Sequence, residues 1–155
     1  EDAPLLGDFA LLPILTLPAG SASAGTGTGT TDVTLIVISS HEFGPYSLDI
    51  NAGYTRRSGS GVTAPRDATV WTVSAGGPLS GAFGWTGELY GYPATSGPAG
   101  AKTIVALLGG PTLLVRKWLA LDAGVILPLT GPQPRAVYLG GVYNAGRLWG
   151  RPGPT

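Results

Sequence analysis

Four carboxylates stand among polar residues that alternate with apolar ones, and they are the groups of this sequence best placed for chemistry. They are Asp32, Asp49, Glu88 and Asp122. On the wall of a water-filled channel, such groups favour cations or polar solutes. Inside a filled protein they need cationic partners instead, because an unpaired buried charge is costly. The candidate partners are Arg57, Arg66, Lys102 and Arg135.

The remaining reactive side chains argue against catalysis and against a metal site. The chain has no cysteine, so disulfides and thiolate metal sites are excluded. His41 is the only histidine, which removes multi-histidine metal sites and weakens any Ser–His–acid triad. We therefore expect no catalytic residue, no metal and no cofactor. A small hydrolase that uses a serine with His41 is the least favoured alternative.

The segment 46–55 shows what kind of element positions these groups. Its apolar residues are Tyr46, Leu48, Ile50, Ala52 and Tyr54, and each is followed by a polar or very small residue. Strict period-2 alternation predicts a strand with two chemically different faces. The two tyrosines lie about eight residues apart, near the span of a bilayer core for a tilted strand. The pattern predicts lipid on the apolar face and a polar lumen on the other.

Seven further segments fit the same template. The predicted strands cover residues 9–17, 32–40, 46–55, 68–76, 82–92, 102–115, 119–127 and 136–149. Pro13 argues for an edge or a bulge in the first strand, since proline cannot donate a ladder hydrogen bond. The glycines and proline at 109–111 predict a bulge in the sixth.

The predicted connections alternate in length, beginning and ending with a long one. Short turns are expected at 41–45, 77–81 and 116–118. Bacterial outer-membrane barrels have long loops on the outside and short turns in the periplasm. We therefore predict that the long loops emerge on one side of a membrane, with His41 and Trp118 on the other.

Composition agrees with a membrane barrel and disfavours nucleic-acid binding. Charged residues make up only 12% of the chain, and nine basic residues balance nine acidic ones. No overall field is available to attract nucleic acid. The 26 glycines and 14 prolines disfavour helices, and the 43% hydrophobic content argues against disorder. No apolar run is long enough for a transmembrane helix, so any membrane span is expected to be a barrel.

The aromatic residues near predicted strand ends are typical of girdles at the membrane interface. This interpretation applies to Tyr46, Tyr54, Trp118 and Trp149. Ligand stacking is the alternative. Tyr90 and Tyr138 are the better candidates for it, because the alternation places their side chains on the inward, polar face of the strands. The residues predicted to face the lumen are Asp32, Asp49, Asn51, Glu88, Tyr90, Asp122, Tyr138 and Asn144.

Short motifs give the chain a family resemblance. The strand end LTLPAG (15–20), the following small-residue loop and the strand start GTGTTD (27–32) resemble the outer-membrane transporter family associated with the meta-pathway of phenol degradation. Similar pieces occur at 51–54, 87–91, 121–125 and 144–149. The resemblance implies an outer-membrane barrel that passes small, often aromatic, compounds. Members of that family are usually longer, and this chain is similar to their C-terminal part.

We predict an all-β fold: an antiparallel up-and-down transmembrane β-barrel with about eight strands in this chain, alone or as part of a larger barrel. Residues 1–149 are assigned to the barrel domain and 150–155 to a short C-terminal tail. The expected function is transport or binding of small solutes, with aromatic or hydrophobic ones as candidates, in the bacterial outer membrane. Membrane lipid and the solute are the expected partners, with a second copy or additional strands to complete the barrel and no nucleic acid.

Two other interpretations stay open at this point. One is a closed eight-stranded barrel with a structural or surface-interaction role, because eight strands leave an interior about filled by side chains. In that case the acidic residues pair with the cations, and this chain alone forms no open pore. The other is a soluble β-sandwich, in which a second sheet covers the apolar face.

Overall fold

The computed structural model describes residues 7–145, and these residues form strands joined by loops and turns. The eight strands are β1 (Asp8–Thr16), β2 (Asp32–Phe43), β3 (Tyr46–Arg57), β4 (Asp67–Ser80), β5 (Phe83–Tyr92), β6 (Ile104–Arg116), β7 (Leu119–Thr130) and β8 (Ala136–Tyr143). No helix in this part of the chain is long and apolar enough to cross a membrane. The prediction of an all-β fold is confirmed.

All eight strands belong to one antiparallel sheet, in the order β1 to β8. Every strand pairs with its neighbours in the chain, so the sheet is an up-and-down meander. Three connections contain two residues each, and they alternate with the longer ones at 17–31, 58–66, 93–103 and 131–135. The predicted alternation is therefore confirmed, with the longer loops at one end of the sheet and the tight turns at the other.

The sheet is open, which corrects the prediction of a barrel closed by these eight strands. Within residues 7–145, β1 contacts β2 alone among the strands, and β8 contacts β7 alone. Both outer strands are edges, in agreement with the position of Pro13 in β1. The sandwich is also wrong for the described residues, because they form one sheet rather than two.

The tight turns are shorter than the sequence predicts. β2 runs on to Phe43 and β4 to Ser80, which leaves Gly44-Pro45 and Gly81-Ala82 as the turns. The glycine in each has a positive φ, 63° at Gly44 and 58° at Gly81. A positive φ at the first central residue is typical of a type II′ hairpin, whose twist matches that of the flanking strands. The residues predicted as turn between 77 and 80 therefore lie in a strand.

The predicted bulge at 109–111 is wrong. The β6–β7 register is continuous from Gly109, opposite Val125, to Thr112, opposite Asp122. Irregularities occur instead near both ends of β6, between Val105 and Ala106 and between Leu114 and Arg116, and in β4 between Pro78 and Ser80. The end of β8 also differs from the prediction, since β8 stops at Tyr143. Trp149 and the predicted tail 150–155 lie outside the described residues.

The register gives the sheet two different faces, named here the apolar face and the polar face. Residues directly opposite in neighbouring strands share a face, so the residues in register with Ile50 form one face and those in register with Asp49 form the other. Among the described residues, Ala64 and Ala106 are the buried hydrophobic ones, and no large side chain is fully buried. The apolar face is thus left uncovered, with Ile50 at 46% exposure and Leu139 at 86%.

Aromatic rings cover glycines of the adjacent strand at three places. Trp71 lies over Gly91, Tyr46 over Gly77 and Tyr138 over Gly124. A Cβ added to Gly91 would stand 2.5 Å from the Trp71 ring. Glycine weakens a strand but admits such a close approach, and the ring supplies the contacts that the missing side chain cannot.

We expect Gly91→Ala to lower the free energy of unfolding by about 1–3 kcal/mol, because the added methyl displaces the Trp71 ring. Gly87→Ala is the matched control on the same strand and face. Its added Cβ would meet the Trp85 ring at 3.7 Å, an ordinary contact. The control should be neutral or raise stability by about 0.5 kcal/mol, since alanine in a strand loses less backbone entropy than glycine. Denaturant unfolding of both variants measures the difference, and equal losses would contradict the account of Trp71.

Candidate functional site on the polar face

A row of carboxylates and hydroxyls crosses five strands in the middle of the polar face. Each member lies directly opposite the next: Asp8, Ser40, Asp49, Ser74 and Glu88. Leu108, Ile126 and Ala136 continue the row on β6, β7 and β8. Since neighbouring strands lie about 4.8 Å apart, successive carboxylates are spaced by roughly 10 Å along the sheet. The row provides separate oxygen sites rather than one cluster.

Hydrogen bonds orient part of this row and the residues beside it. The Ser40 hydroxyl donates to Asp49 at 2.6 Å. The side-chain amide of Asn51 donates from Nδ2 to the Thr72 hydroxyl at 2.8 Å. The side-chain oxygen Oδ1 of Asn51 is buried and has no hydrogen-bond partner in the described residues. These bonds link β2 to β3 and β3 to β4 through side chains.

A buried ion pair lies on the polar face, at the end of the sheet that carries the longer loops. Asp32 is only 8% exposed, and Arg57 donates to it from Nε at 3.2 Å. Thr30 donates to the same carboxylate at 2.6 Å, and Arg57 also donates to the Pro65 carbonyl at 2.9 Å. The network ties the 17–31 loop to the 58–66 loop.

Seven of the eight residues predicted to face a lumen share the polar face. They are Asp32, Asp49, Asn51, Glu88, Tyr90, Asp122 and Tyr138. Asn144 follows β8, and its backbone N–H donates to the Trp118 carbonyl at 2.8 Å beside a tight turn. That the polar face lines a lumen stays a prediction.

The predicted pairing of acids with cations holds for Asp32 but fails for the other three carboxylates. Across the part of the chain that the structure describes, ion pairs link Asp32 to Arg57 and Asp67 to Arg56. Asp49 takes a hydroxyl partner, and Glu88 and Asp122 have neither an ion pair nor a hydrogen bond to a described residue. The reason is placement, since Arg66, Lys102 and Arg135 lie in loops beyond the strand ends.

A cavity of about 350 Å³ opens beside Glu88. It is lined by Thr72, Glu88, Tyr90, Tyr92, Leu108 and Gln133. The Tyr90 and Tyr92 rings lie 6.0 Å apart with their planes at 77°. A carboxylate, two tyrosines and a leucine therefore meet in one pocket on the polar face.

Comparison with known proteins adds no family to this geometry. No family profile matches the chain, and neither a curated protein nor a solved structure shows significant similarity to it. The resemblance to the outer-membrane transporter family therefore rests on the short motifs alone.

A contact that the serine–histidine alternative requires is present, and it lies on the apolar face. Ser39 Oγ and His41 Nε2 lie 3.1 Å apart, and the His41 ring stacks on Phe43. Glu42, the acid adjacent in sequence, lies on the polar face instead. No group of three or more histidine, cysteine or acidic residues in the described range is arranged to hold a metal ion. Within residues 7–145 the geometry thus supplies a pair without the acid of a triad.

Several residues of the site were not identified from the sequence. Asp8 falls one residue before the predicted start of the first strand, and its in-phase neighbours Ala10 and Leu12 are apolar, so no alternation marks its face. Tyr92 follows Tyr90 by two residues, so period 2 gives the signal for it. Gln133 lies in the 131–135 loop, and no periodic pattern predicts its approach to β5.

We expect Arg57→Met to lower the free energy of unfolding by about 1–3 kcal/mol, because Asp32 would be left buried without its cation. Arg56→Met is the matched control on the adjacent residue. Its partner Asp67 is half exposed, at 49%, so solvent screens that pair and the loss should be much smaller. Denaturant unfolding at neutral pH compares the two variants. Equal losses would show that Arg57 and Asp32 do not act as a buried pair.

Proposed function

We propose that this chain supplies strands to a transmembrane β-barrel of the porin-like transporter type, located in the bacterial outer membrane. The observation that carries the proposal is the different chemistry of the two faces, with large hydrophobic side chains of the apolar face exposed on each of the eight strands. Lipid would cover the apolar face, and small solutes would pass along the polar face. Transmembrane barrels alternate apolar and polar residues in this way.

The pattern of aromatic residues supports the same arrangement. Exposed rings gather at the tight-turn end of the sheet: Phe43, Tyr46, Phe83, Trp118 and Tyr143. Trp118 and Tyr143 are in edge contact, with ring centroids 5.5 Å apart. At the other end of β3, Tyr54 is similarly exposed, at 47%. The two ends of the apolar band on β3 are about 26 Å apart along the strand, near the height of a lipid-facing band.

The open edges favour a barrel larger than these eight strands. Unpaired backbone groups cannot remain exposed to hydrocarbon, so a membrane-spanning sheet must close. Further strands, from the same polypeptide or from a second copy, would pair with β1 and β8. A larger barrel also has a wider interior than eight strands can enclose, as passage of a solute requires.

A hydrolase is not proposed. The Ser39–His41 contact lies on the face assigned to lipid, and no carboxylate of the described residues joins it there.

We expect Ile50→Arg to cost about 2–4 kcal/mol on folding into lipid vesicles, as a charge at the middle of a lipid-facing strand does. Ser74→Arg is the matched control, with the same new side chain on the polar face. Ser74 lies directly opposite both Asp49 and Glu88, so the guanidinium would find acidic neighbours there. Denaturant titration of the folded fraction in vesicles gives both values. A near-zero cost for Ile50→Arg, or an equal cost for Ser74→Arg, contradicts the assignment of the faces.

The open sheet can be tested with cysteine pairs, because the chain has no cysteine of its own. Leu11→Cys with Val37→Cys places the thiols on directly opposite residues of β1 and β2, and this pair should form an intramolecular disulfide. Leu11→Cys with Leu139→Cys places one thiol on each edge strand, β1 and β8. Because the sheet is open, we expect no intramolecular bridge between them, even with a short bifunctional reagent. Mass determination after oxidation or cross-linking distinguishes the species. An efficient intramolecular β1–β8 bridge would establish the closed eight-stranded barrel and exclude the larger one.

A further inference from the structure

We infer that the cavity beside Glu88 binds small organic cations: amines or quaternary ammonium ions that carry an apolar group. The inference deepens the proposed function by naming a class of solute. Binding in this cavity does not depend on the membrane setting, but the idea that such cations pass along the polar face rests on the proposed function.

The charge at the cavity favours a cation. Glu88 contributes a carboxylate for which the described residues supply neither an ion pair nor a hydrogen bond. Among the described strand residues the polar face is acidic, with Asp8, Asp32, Glu42, Asp49, Glu88 and Asp122 against the cation Arg57, which Asp32 already holds. An anionic solute would meet repulsion here, and a neutral one would leave the carboxylate unpaired.

The two tyrosines favour an organic cation over a simple metal ion. A cation over the face of an aromatic ring is attracted by the ring quadrupole, and ammonium groups are commonly recognised in this way. The nearly perpendicular rings of Tyr90 and Tyr92 offer two differently directed surfaces to one ligand. A metal ion would need several carboxylate or carbonyl ligands around it, whereas Glu88 is the only carboxylate among the described residues that line this cavity.

The size and remaining lining fit a small molecule with an apolar part. A volume of about 350 Å³ lies at the lower end of the usual range for small-molecule sites. Leu108 offers an apolar surface, while the side-chain oxygens of Thr72 and Gln133 can accept hydrogen bonds from an ammonium N–H. Thr72 already accepts the Asn51 amide, which holds its hydroxyl in place.

The test is equilibrium binding of benzyltrimethylammonium and of neutral benzyl alcohol to the full chain, in detergent and in lipid vesicles. We expect the cation to bind about tenfold more tightly than the alcohol, because only the cation is attracted by the Glu88 carboxylate and by the faces of the tyrosine rings. Glu88→Gln should weaken cation binding by about tenfold and leave alcohol binding unchanged. Tyr90→Leu should weaken cation binding although the carboxylate remains.

Asp122→Asn is the matched control, because it removes a polar-face carboxylate that does not line this cavity. It should bind the cation as the unmodified chain does. Absence of cation binding, equal binding of the cation and the alcohol, or equal losses in Glu88→Gln and Asp122→Asn each overturn the inference.

Insertion into the vesicles is measured separately, by protection of the strands from added protease. A protected chain that binds no cation overturns the inference and leaves the proposed function standing. An unprotected chain that binds the cation in detergent with these variant effects overturns the membrane function and supports the site.

Discussion

The constraint on which this structure depends is the absence of a core within the sheet. A folded domain of this length normally buries much of the surface that its unfolded chain exposes, and that burial offsets the entropy lost on ordering the backbone. Here Ala64 and Ala106 are the hydrophobic residues buried within the described part of the chain, and the apolar face meets nothing. Backbone pairing alone contributes little net free energy. The burial that stabilises such a sheet must therefore come from its surroundings.

The same surroundings have to satisfy the two edges. β1 and β8 carry unpaired N–H and C=O groups, and β8 also has the two most exposed large hydrophobic side chains of the described residues, Val137 at 80% and Leu139 at 86%. In water, an apolar sheet with two open edges promotes aggregation. In a bilayer, closure with further strands satisfies the edges while lipid covers the apolar face. The barrel proposed above would meet both requirements, which a covering sheet or an isolated eight-stranded ribbon would not do.

Short sequence patterns were enough to predict the strands and their faces. Sheet closure and the position of loops were not predictable in this way, because they depend on contacts between residues distant in sequence. The alternation around Ile50 places side chains correctly because a period of two leaves only two choices, and one of them puts five apolar residues on one face. The turns at Gly44 and Gly81 were predicted too broadly, because a type II′ turn needs only one glycine at its first central position and the strands continue up to it on both sides. Whether β1 meets β8 depends on the curvature of the whole sheet, which no short segment encodes. Gln133 illustrates the same limit within the site, because its approach to Tyr92 depends on where a loop crosses the strands.

The balance of nine acidic and nine basic residues conceals a separation of charge that the register makes clear. Acidic residues concentrate on the polar face, whereas described basic residues lie at the two ends of the sheet: Arg66, Lys102 and Arg135 in the longer loops, and Arg116 and Lys117 beside a tight turn. A net charge of zero therefore says little about the potential along the polar face. Low-dielectric walls strengthen the field inside a cleft, so carboxylates without cationic partners act over the length of such a path. Arg57 is already held by Asp32, and the other described cations lie outside the path. On the proposed function, a mobile cation would neutralise the negative potential along this face.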